Sequence, residues 1–309
     1  MRLKALASIA ALAACTAAQC AQVEFTAADS YAAYGLLSAF VRDCTPRNAG
    51  TVKGRLAGEW IAARLRELGA DAKIDRFRDS TPDGVKIFKN VTVEFPAAEN
   101  PESAPWIVFI SHYDTAPNVG RDFQGANDGG STTAVLMALA GAIVRSGAPS
   151  GANVMLAWTD GEEARIAYSD NDGFHGARRL VSVLKESKRE VKAVIGLDML
   201  GDRDLLMEMP VNGTMWLKAA AIEASLEAGP GVRLQCGEVT VRDDFAEFLK
   251  AGYPAIDIID FEFGPGNSWW HTTDDSLDKI SEESLLKAGR LAAAILDRIC
   301  QGTDEGTAK

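Results

Sequence analysis

The feature that most constrains the fold is an alternation of short apolar runs and helical segments from Trp106 onward. Four runs have the length and composition of buried strands, at Trp106–Ser111, Asn153–Trp158, Val191–Leu197 and Ala255–Ile259. The helices predicted around them lie at Ser131–Arg145, Gly176–Glu186, Met215–Ala228, Asp244–Ala251 and Glu282–Cys300. Strands that alternate with helices favour a parallel sheet covered on both faces. The pattern therefore predicts an α/β protein of three layers, α/β/α, with a largely parallel twisted sheet.

The segment before Trp106 carries helices and strands in a different order. We predict two helices and two strands here, at Tyr31–Cys44, Val52–Leu68, Ala72–Arg78 and Val85–Phe95. Gly69 is a residue typical of helix ends, and Pro82-Asp83-Gly84 is typical of a turn between strands. No connection is long enough to divide domains. We therefore predict a single catalytic domain over residues 22–309.

Residues 1–21 have the composition of an export signal. A short basic head precedes the apolar run Ala5–Ala14, which is about half as long as a bilayer requires. Leu12-Ala13-Ala14-Cys15 is similar to a bacterial lipoprotein box, in which Cys15 would carry the lipid, whereas the small residues Thr16 and Ala18 suit ordinary cleavage after Ala18. Both routes stay open. They predict a periplasmic or outer-membrane lipoprotein, or a secreted protein, and no second membrane segment follows.

The charge balance argues against nucleic acid or anionic lipid as a partner. The chain has 43 acidic and 32 basic residues, a net charge of −11, and phosphate groups repel a negative protein. Cys44, Cys236 and Cys300 lie far apart and form no C-x-x-C pair, so a zinc-thiolate site is not expected. An oxidising compartment would allow one disulfide, whose pairing the sequence leaves open.

Carboxylate and imidazole side chains follow the ends of the four predicted strands. They are His112 and Asp114 after the first strand, Glu162 and Glu163 after the second, Asp198 at the end of the third, His271 after the fourth, and Asp128 in a glycine-rich turn that leads into a helix. The carboxyl ends of parallel strands share one edge of a sheet, and open α/β sheets bind ligands there. We therefore expect these side chains to lie close together.

The chemistry of these residues suits a catalytic zinc site. Imidazole nitrogen and carboxylate oxygen are preferred zinc ligands, and a catalytic zinc keeps one position open. Glu162 and Glu163 are adjacent and point in different directions, so one can bind a metal while the other faces substrate or water. Taken singly, the two glutamates also suit the solvated start of a helix, and a His or Asp at a strand end suits a hydrogen-bonded loop. Their occurrence together, in this order, favours the zinc site.

The order of these residues (H-x-D, D after glycine, EE, D, H) resembles that of the zinc exopeptidases of the bacterial secreted aminopeptidase type. It resembles still more closely that of the glutaminyl-peptide cyclotransferases. The resemblance runs from about Cys44 to the C-terminus and includes Pro46-Arg47. Two motifs favour the cyclotransferases: Asp160–Val181 (DGEEARIAYSDNDGFHGARRLV), and Trp270-His271-Thr272 followed by two aspartates. The turn EE-x-G-L-x-G-S, more frequent in aminopeptidases, is absent from the sequence.

Carried over residue by residue, the resemblance implies that Asp128, Glu163 and His271 bind one catalytic zinc ion. In the two-zinc aminopeptidases, the residue that matches Asp128 bridges the metals, and those that match His112 and Asp198 hold the second zinc. Cyclotransferases can retain these two residues with that site empty. The ligands alone therefore leave the number of zinc ions open.

The resemblance also implies roles beside the metal. Glu162 would be the general acid/base, and Asp198 and Asp244 would hydrogen-bond around it. Tyr168 and Trp270 would line the pocket for the substrate's N-terminal residue, although Tyr168 stands where the cyclotransferases of animals carry tryptophan. His175, at the start of a predicted helix, is expected to be a capping or surface residue.

The activity that the resemblance implies is conversion of N-terminal glutamine in peptides or proteins to pyroglutamate, with release of ammonia. A zinc aminopeptidase is the alternative, in which Glu162 would activate water to cleave the first peptide bond. A surface module that kept the fold without catalysis is the third hypothesis. The complete set of ligands and base disfavours that third hypothesis.

Overall fold

A computed structural model describes residues 22–301, and the predicted export signal, including Cys15, lies outside this range. The helices are α1 Ala27–Cys44, α2 Val52–Glu67, α3 Gly130–Ser146, α4 His175–Glu186, α5 Met215–Glu227, α6 Asp244–Lys250 and α7 Glu282–Gln301. The strands are β1 Ala72–Thr81, β2 Gly84–Phe95, β3 Trp106–His112, β4 Asn153–Thr159, β5 Val191–Asp198, β6 Met207–Met209, β7 Leu234–Cys236 and β8 Ala255–Ile259.

The eight strands form one mixed sheet in the order β1-β2-β4-β3-β5-β8-β6-β7. The four central strands, β4, β3, β5 and β8, are parallel. The β1–β2 hairpin joins β4 in antiparallel orientation, and β6 pairs with β8 in the same way. The predicted α/β class is confirmed, with a mixed sheet whose parallel part is its centre.

Alternate residues of the central strands supply the cores on the two faces of the sheet. In β3, Ile107 and Phe109 pack on one face, whereas Val108 and Ile110 pack on the other. Helices α1, α2, α3, α5 and α7 cover the first face, and α4 and α6 cover the second. Because both faces are covered, these strands read as continuous apolar runs, and their polar residues are confined to the strand ends.

Most predicted elements are present, with shifted ends. Helix α1 begins at Ala27 rather than Tyr31 because Thr26 and Asp29 form a capping box, in which each side chain accepts from the other's backbone N–H. Cys44 is buried, Cys236 is exposed, and both are free thiols. Within residues 22–301, no helix has the combination of length and apolarity that a bilayer-spanning helix needs.

Candidate active site

The side chains predicted to form a site meet at the carboxyl edge of the central strands. His112 is the last residue of β3 and Asp198 the last residue of β5, so each strand delivers its polar side chain where the sheet ends. Glu162 and Glu163 lie in the loop after β4, and His271 lies in the loop after β8. This is the edge at which open α/β sheets bind ligands.

Asp128, Glu163 and His271 form the first of two clusters with metal-ligand chemistry. The Nε2 atom of His271 lies 3.1 Å from Glu163 Oε1 and 3.2 Å from Asp128 Oδ2. Both carboxylates are buried, whereas the His271 side chain is 29% exposed. The cluster therefore has its open side at the imidazole.

His112, Asp128 and Asp198 form the second cluster, which shares Asp128 with the first. The Nε2 atom of His112 lies 3.1 Å from Asp128 Oδ1 and 3.2 Å from Asp198 Oδ1. One oxygen of Asp128 thus faces His112, while its other oxygen faces His271. This is the geometry of a bridging carboxylate between two metal positions.

The contacts in both clusters fit a cation better than they fit hydrogen bonds alone. In each, one imidazole nitrogen faces two carboxylate oxygens, but a single N–H cannot donate fully to both. Ligand atoms around a tetrahedral zinc ion, each at about 2.0–2.2 Å, are separated by roughly 3.3 Å, close to the spacings found here. Burial lowers the pKa of His271, but the Asp128 and Glu163 carboxylates more than offset this and raise it to about 10. The clusters thus hold an excess of negative charge, and the donor set suits zinc.

Two buried aspartates fix the loops that carry the cluster residues, because they accept hydrogen bonds from backbone N–H groups in those loops. Asp114 accepts from the backbone N–H groups of Gly161, Glu162 and Glu163, which fixes the turn that carries the adjacent glutamates. Asp275 accepts from the N–H groups of Asn127 and Asp128. Sequence reasoning gave neither aspartate a role, although the H-x-D spacing and the two aspartates after Trp270-His271-Thr272 were visible signals.

The side chain of Arg47 supports the glycine-rich turn that carries Asp128. The side chain is fully buried, and its guanidinium donates to the carbonyl oxygens of Tyr113, Gln124 and Gly125. The same group lies over the Phe40 ring, 4.7 Å from its centroid. The Pro46-Arg47 loop noted in the sequence thus supports the turn that carries Asp128.

Glu162 belongs to neither cluster and faces the cavity. It is 6% exposed, and the hydroxyl of Tyr168 donates to its Oε2 atom at 3.3 Å. Burial, and then the neighbouring Glu163 charge, raise the pKa of Glu162 well above its ordinary value. A carboxyl group with this environment can both take up and release a proton.

Asp198 and Asp244 do not hydrogen-bond to Glu162 within residues 22–301, which corrects that part of the predicted arrangement. Asp198 pairs with His112, and Asp244 accepts a 2.5 Å hydrogen bond from the Thr159 hydroxyl. The neighbouring Asp243 lines the cavity instead. Asp243 is the extended N-cap of α6, whereas Asp244 is its first helical residue, so the two side chains point in different directions.

A largely apolar cavity of about 440 Å³ opens beside the two clusters. Trp270 stacks on His271 with ring centroids 4.1 Å apart, and Phe261 lies 5.5 Å from Trp270. Tyr168 forms part of the wall and stacks on Phe174 at 4.7 Å. Tyr168 and Trp270, for which the resemblance implied a role in substrate binding, both lie in the lining of this cavity.

The loops that carry this site contain strained backbone. Met199, which follows Asp198, and His271 have φ values of 54° and 53°, in the left-handed region that residues with side chains rarely adopt. Each such residue costs on the order of 1 kcal/mol or more and persists only where its surroundings impose it. The strain therefore points to positions held for their role in the site.

His175 is buried rather than exposed, which corrects the expectation of a surface residue. It is the first residue of α4, its Nδ1 atom lies 2.7 Å from Asp79 Oδ2, and its ring stacks on Phe88 at 4.5 Å. The side chain packs behind the loop of Gly161 and outside the cavity lining.

Comparisons with known proteins agree with this geometry. The glutaminyl-peptide cyclotransferase of Drosophila melanogaster is 27% identical over 288 residues, covering 84% of this chain and 79% of that protein. The structure of an Acidobacteriales bacterium glutaminyl cyclase has a TM-score of 0.82 at 30% identity and covers 98% of this chain and 100% of that chain. A leucine aminopeptidase precursor from Bacteroides thetaiotaomicron shares the fold, with a TM-score of 0.76 at 22% identity, covering 89% of this chain and 99% of that chain.

The family model described as peptidase family M28 matches residues 90–296, the part of the chain that carries both clusters and Glu162. Because that match spans well over half of the sequence, this chain belongs to peptidase family M28.

Proposed function

We propose that this chain is a zinc-dependent glutaminyl-peptide cyclotransferase, which converts N-terminal glutamine of peptides or proteins to pyroglutamate and releases ammonia. The observation that carries this proposal is the position of Glu162, a buried carboxyl group outside both ligand clusters in the wall of an aromatic, mainly apolar cavity. Cyclisation needs a base but no water as reactant, and such a cavity suits it. The names of the Drosophila and Acidobacteriales proteins support the same activity.

Asp128, Glu163 and His271 are the residues that would hold the catalytic zinc. When bound there, zinc supplies Lewis-acid polarisation of the side-chain carbonyl of the substrate glutamine. The His271 ring is held by its stacking on Trp270, and the Asp128 turn is held by Asp275. Ligands fixed in this way lose little freedom on binding a metal.

Glu162 would carry the proton through the reaction. The α-amine of the substrate attacks the side-chain amide carbon, and Glu162 accepts a proton from that amine. Glu162 then returns the proton to the amide nitrogen, which departs as ammonia while the carbonyl re-forms in the five-membered ring. The Tyr168 hydroxyl orients the Glu162 carboxyl group, and Trp270 packs against the substrate side chain.

A zinc aminopeptidase remains the second candidate, because the His112, Asp128 and Asp198 cluster is complete. His112, Asp128 and Asp198 would hold a second zinc ion there, and Asp128 is common to both clusters. In a hydrolase of this kind Glu162 would take its proton from water rather than from the substrate amine. The two candidates therefore use the same residues and differ in the nucleophile.

Mass spectrometry of two peptides tests the proposal. The zinc-loaded protein is incubated with one short peptide that begins with glutamine and one that begins with leucine. Loss of ammonia from the glutamine peptide alone, with every peptide bond intact, is the expected result. Loss of the first residue from either peptide would establish an aminopeptidase, and no change in either would support a non-catalytic module.

A Glu162→Gln variant tests the assigned base. We expect it to lose turnover but to bind zinc as the unchanged protein does, because Glu162 lies outside both ligand clusters. Zinc content is measured by atomic absorption after dialysis, beside the peptide assay. Near-normal activity of the variant would refute the assignment.

We also propose that the protein is exported, as a lipoprotein anchored at Cys15 or as a periplasmic or secreted protein. The support is the sequence of residues 1–21 alone. Mass analysis of the N-terminus of the mature protein after expression in a bacterial host distinguishes the routes. An acylated Cys15 would establish the lipoprotein, whereas an N-terminus at Gln19 would establish ordinary cleavage, and an intact Met1 would contradict export.

A further inference from the structure

We infer that Arg242 makes this site select glutamine peptides whose second residue is acidic. The inference rests on the proposed function, because it concerns the peptide that enters the same cavity. It names a substrate class that the metal ligands and the base do not determine.

Arg242 stands in a cavity whose charged side chains are mostly acidic. The carboxyl side chains in the lining are Asp128, Glu162, Glu163, Asp198 and Asp243. Among the described lining residues, Arg242 is the only lysine or arginine. It is exposed at the cavity mouth, in a segment whose neighbour Val239 is also exposed.

The guanidinium of Arg242 is held in place without being neutralised. Its Nη1 atom donates to the carbonyl oxygen of Tyr168 at 3.1 Å. Its central carbon lies 5.5 Å from the Phe174 ring centroid and 6.0 Å from that of Tyr168. In residues 22–301, no carboxylate pairs with Arg242 within 4.0 Å, and one backbone carbonyl uses only one of its five N–H donors. An oriented cation with spare donors therefore stands at the cavity mouth.

The position of Arg242 corresponds to the second residue of a bound peptide. The first residue must place its amine and side-chain amide against Glu162. Tyr168 joins that position to Arg242, because its hydroxyl donates to Glu162 Oε2 at 3.3 Å and its carbonyl oxygen accepts from Arg242 at 3.1 Å. Successive Cα atoms are about 3.8 Å apart, in the substrate as in the protein. A peptide that leaves the cavity along Tyr168 therefore brings its second residue to the level of Arg242.

An acidic second residue of the substrate would accept hydrogen bonds from the unused N–H donors of Arg242. A guanidinium binds a carboxylate through two parallel hydrogen bonds, whereas it repels a lysine. The rest of the molecule predicts the opposite preference, since the net charge is −11 and the other charged groups in the lining are mostly acids. A preference for an acidic residue would therefore be attributable to Arg242 rather than to the overall field.

The test compares three amidated tripeptides, Gln-Glu-Ala, Gln-Lys-Ala and Gln-Ala-Ala, on the zinc-loaded protein. We expect kcat/KM for the glutamate peptide to exceed that for the lysine peptide by about fivefold at low salt, the upper range for an exposed ion pair. The ratio should shrink towards one in 1 M salt, where charges are screened beyond about 3 Å.

Two variants separate recognition from structural support. Arg242→Gln keeps an amide donor for the Tyr168 carbonyl but removes the charge, so the glutamate-to-lysine ratio should fall to one or below. Arg233→Gln is the matched control, because Arg233 is an exposed arginine outside the cavity lining, and its ratio should equal that of the unchanged protein.

The outcomes distinguish this inference from the proposed function. If none of the three peptides loses ammonia, the proposed function fails, and the inference fails with it. If all three are cyclised but the glutamate peptide has no advantage, only the inference is overturned. It is also overturned if Arg242→Gln keeps the glutamate preference, or lowers kcat/KM for all three peptides by the same factor, since Arg242 would then serve only to support the Tyr168 loop.

Discussion

Replacement of Arg47 by methionine should destabilise the fold and weaken metal binding together. Arg47 is fully buried and donates to the carbonyl oxygens of Tyr113, Gln124 and Gly125, which border the turn that ends in Asp128. Methionine retains the apolar stem of the side chain as far as the position of Nε and lacks the guanidinium group, so the substitution removes mainly the hydrogen-bonding end. The effect should therefore come from the lost hydrogen bonds.

The size of the effect follows from which carbonyl groups keep another partner. Gly125 still accepts from the N–H of Gly130, at 3.2 Å, whereas the Tyr113 and Gln124 carbonyls lose the donor described for them. A buried acceptor left without a partner costs about 1 to 3 kcal/mol, and because Tyr113 is buried whereas Gln124 is half-buried, the two losses together cost about 3 kcal/mol. Loss of a supporting contact behind a metal ligand typically lowers metal affinity by about 10- to 100-fold.

Urea denaturation of the metal-free protein and zinc titration against a chromogenic chelator measure the two effects. Arg145→Met is the matched control, because Arg145 pairs with Asp29 from a side chain that is 56% exposed, and it should cost about 1 kcal/mol or less. If Arg47→Met does not fold, Arg47→Lys, which keeps the charge and one donor, should give a smaller loss of the same kind. An Arg47→Met protein within 1 kcal/mol of the unchanged protein and with equal zinc affinity would refute the reasoning.

Three further predictions concern the stabilisation by zinc, the pH dependence of stability at Asp297, and a substitution at the buried Gly196. Zinc at one hundred times its dissociation constant should raise the thermal unfolding midpoint by about 4 to 5 °C, since it adds about 2.7 kcal/mol to the stability of the folded state and a chain of this size unfolds with an entropy of about 0.6 kcal/mol/K; calorimetry with and without a chelator measures this, and an unchanged midpoint would argue against a metal site. Burial raises the pKa of Asp297 from 3.8 to about 6, so this carboxyl group does not lower the free energy of unfolding below pH 3.8 but lowers it progressively as the pH rises from 3.8 to 6. Relative to the unchanged protein, Asp297→Asn should be equally stable near pH 4 and about 1 to 2 kcal/mol more stable above pH 7, after allowance for partial exposure; parallel pH profiles in urea titrations would contradict this. Gly196→Ala would place a Cβ atom 2.4 Å from Asp257 Oδ1 and should cost about 2 to 3 kcal/mol, less in an Asp257→Ala background; a double-mutant cycle without coupling would disprove the clash.

The sequence predicted where the site lies better than it predicted how the sheet is joined. Polar residues such as His112 and Asp198 interrupt apolar runs at their ends, and strands that are parallel must bring those ends to one edge. The antiparallel attachment of the β1–β2 hairpin has no such signal, because periodicity shows that a strand exists but not which strand it pairs with. Strands β6 and β7 are three residues long, too short for any period.

The environments of some side chains depend on local backbone geometry and could not be predicted from residue type. Asp243 and Asp244 are the same residue type at adjacent positions, and only the extended backbone of Asp243 at the helix N-cap turns it towards the cavity. His175 has the sequence context of a helix start, but the neighbouring loop and Phe88 bury it. In both cases the side-chain environment depends on elements that are distant in sequence.

The cyclotransferase and the peptidase would use the same cluster residues. The choice between an amine and a water nucleophile therefore depends on the cavity. Asp128 presents one oxygen to each cluster, and this arrangement serves one zinc ion or two. Glu162 can accept a proton from either nucleophile, because it lies beside the clusters rather than within them. The aromatic wall formed by Tyr168, Phe261 and Trp270 distinguishes the two, since it offers few hydrogen-bond partners to a reactant water and would suit the apolar stem of a glutamine side chain. A substrate that carries its own nucleophile to the amide carbon is the better match to such a wall, and for that reason the cyclotransferase is favoured over the peptidase.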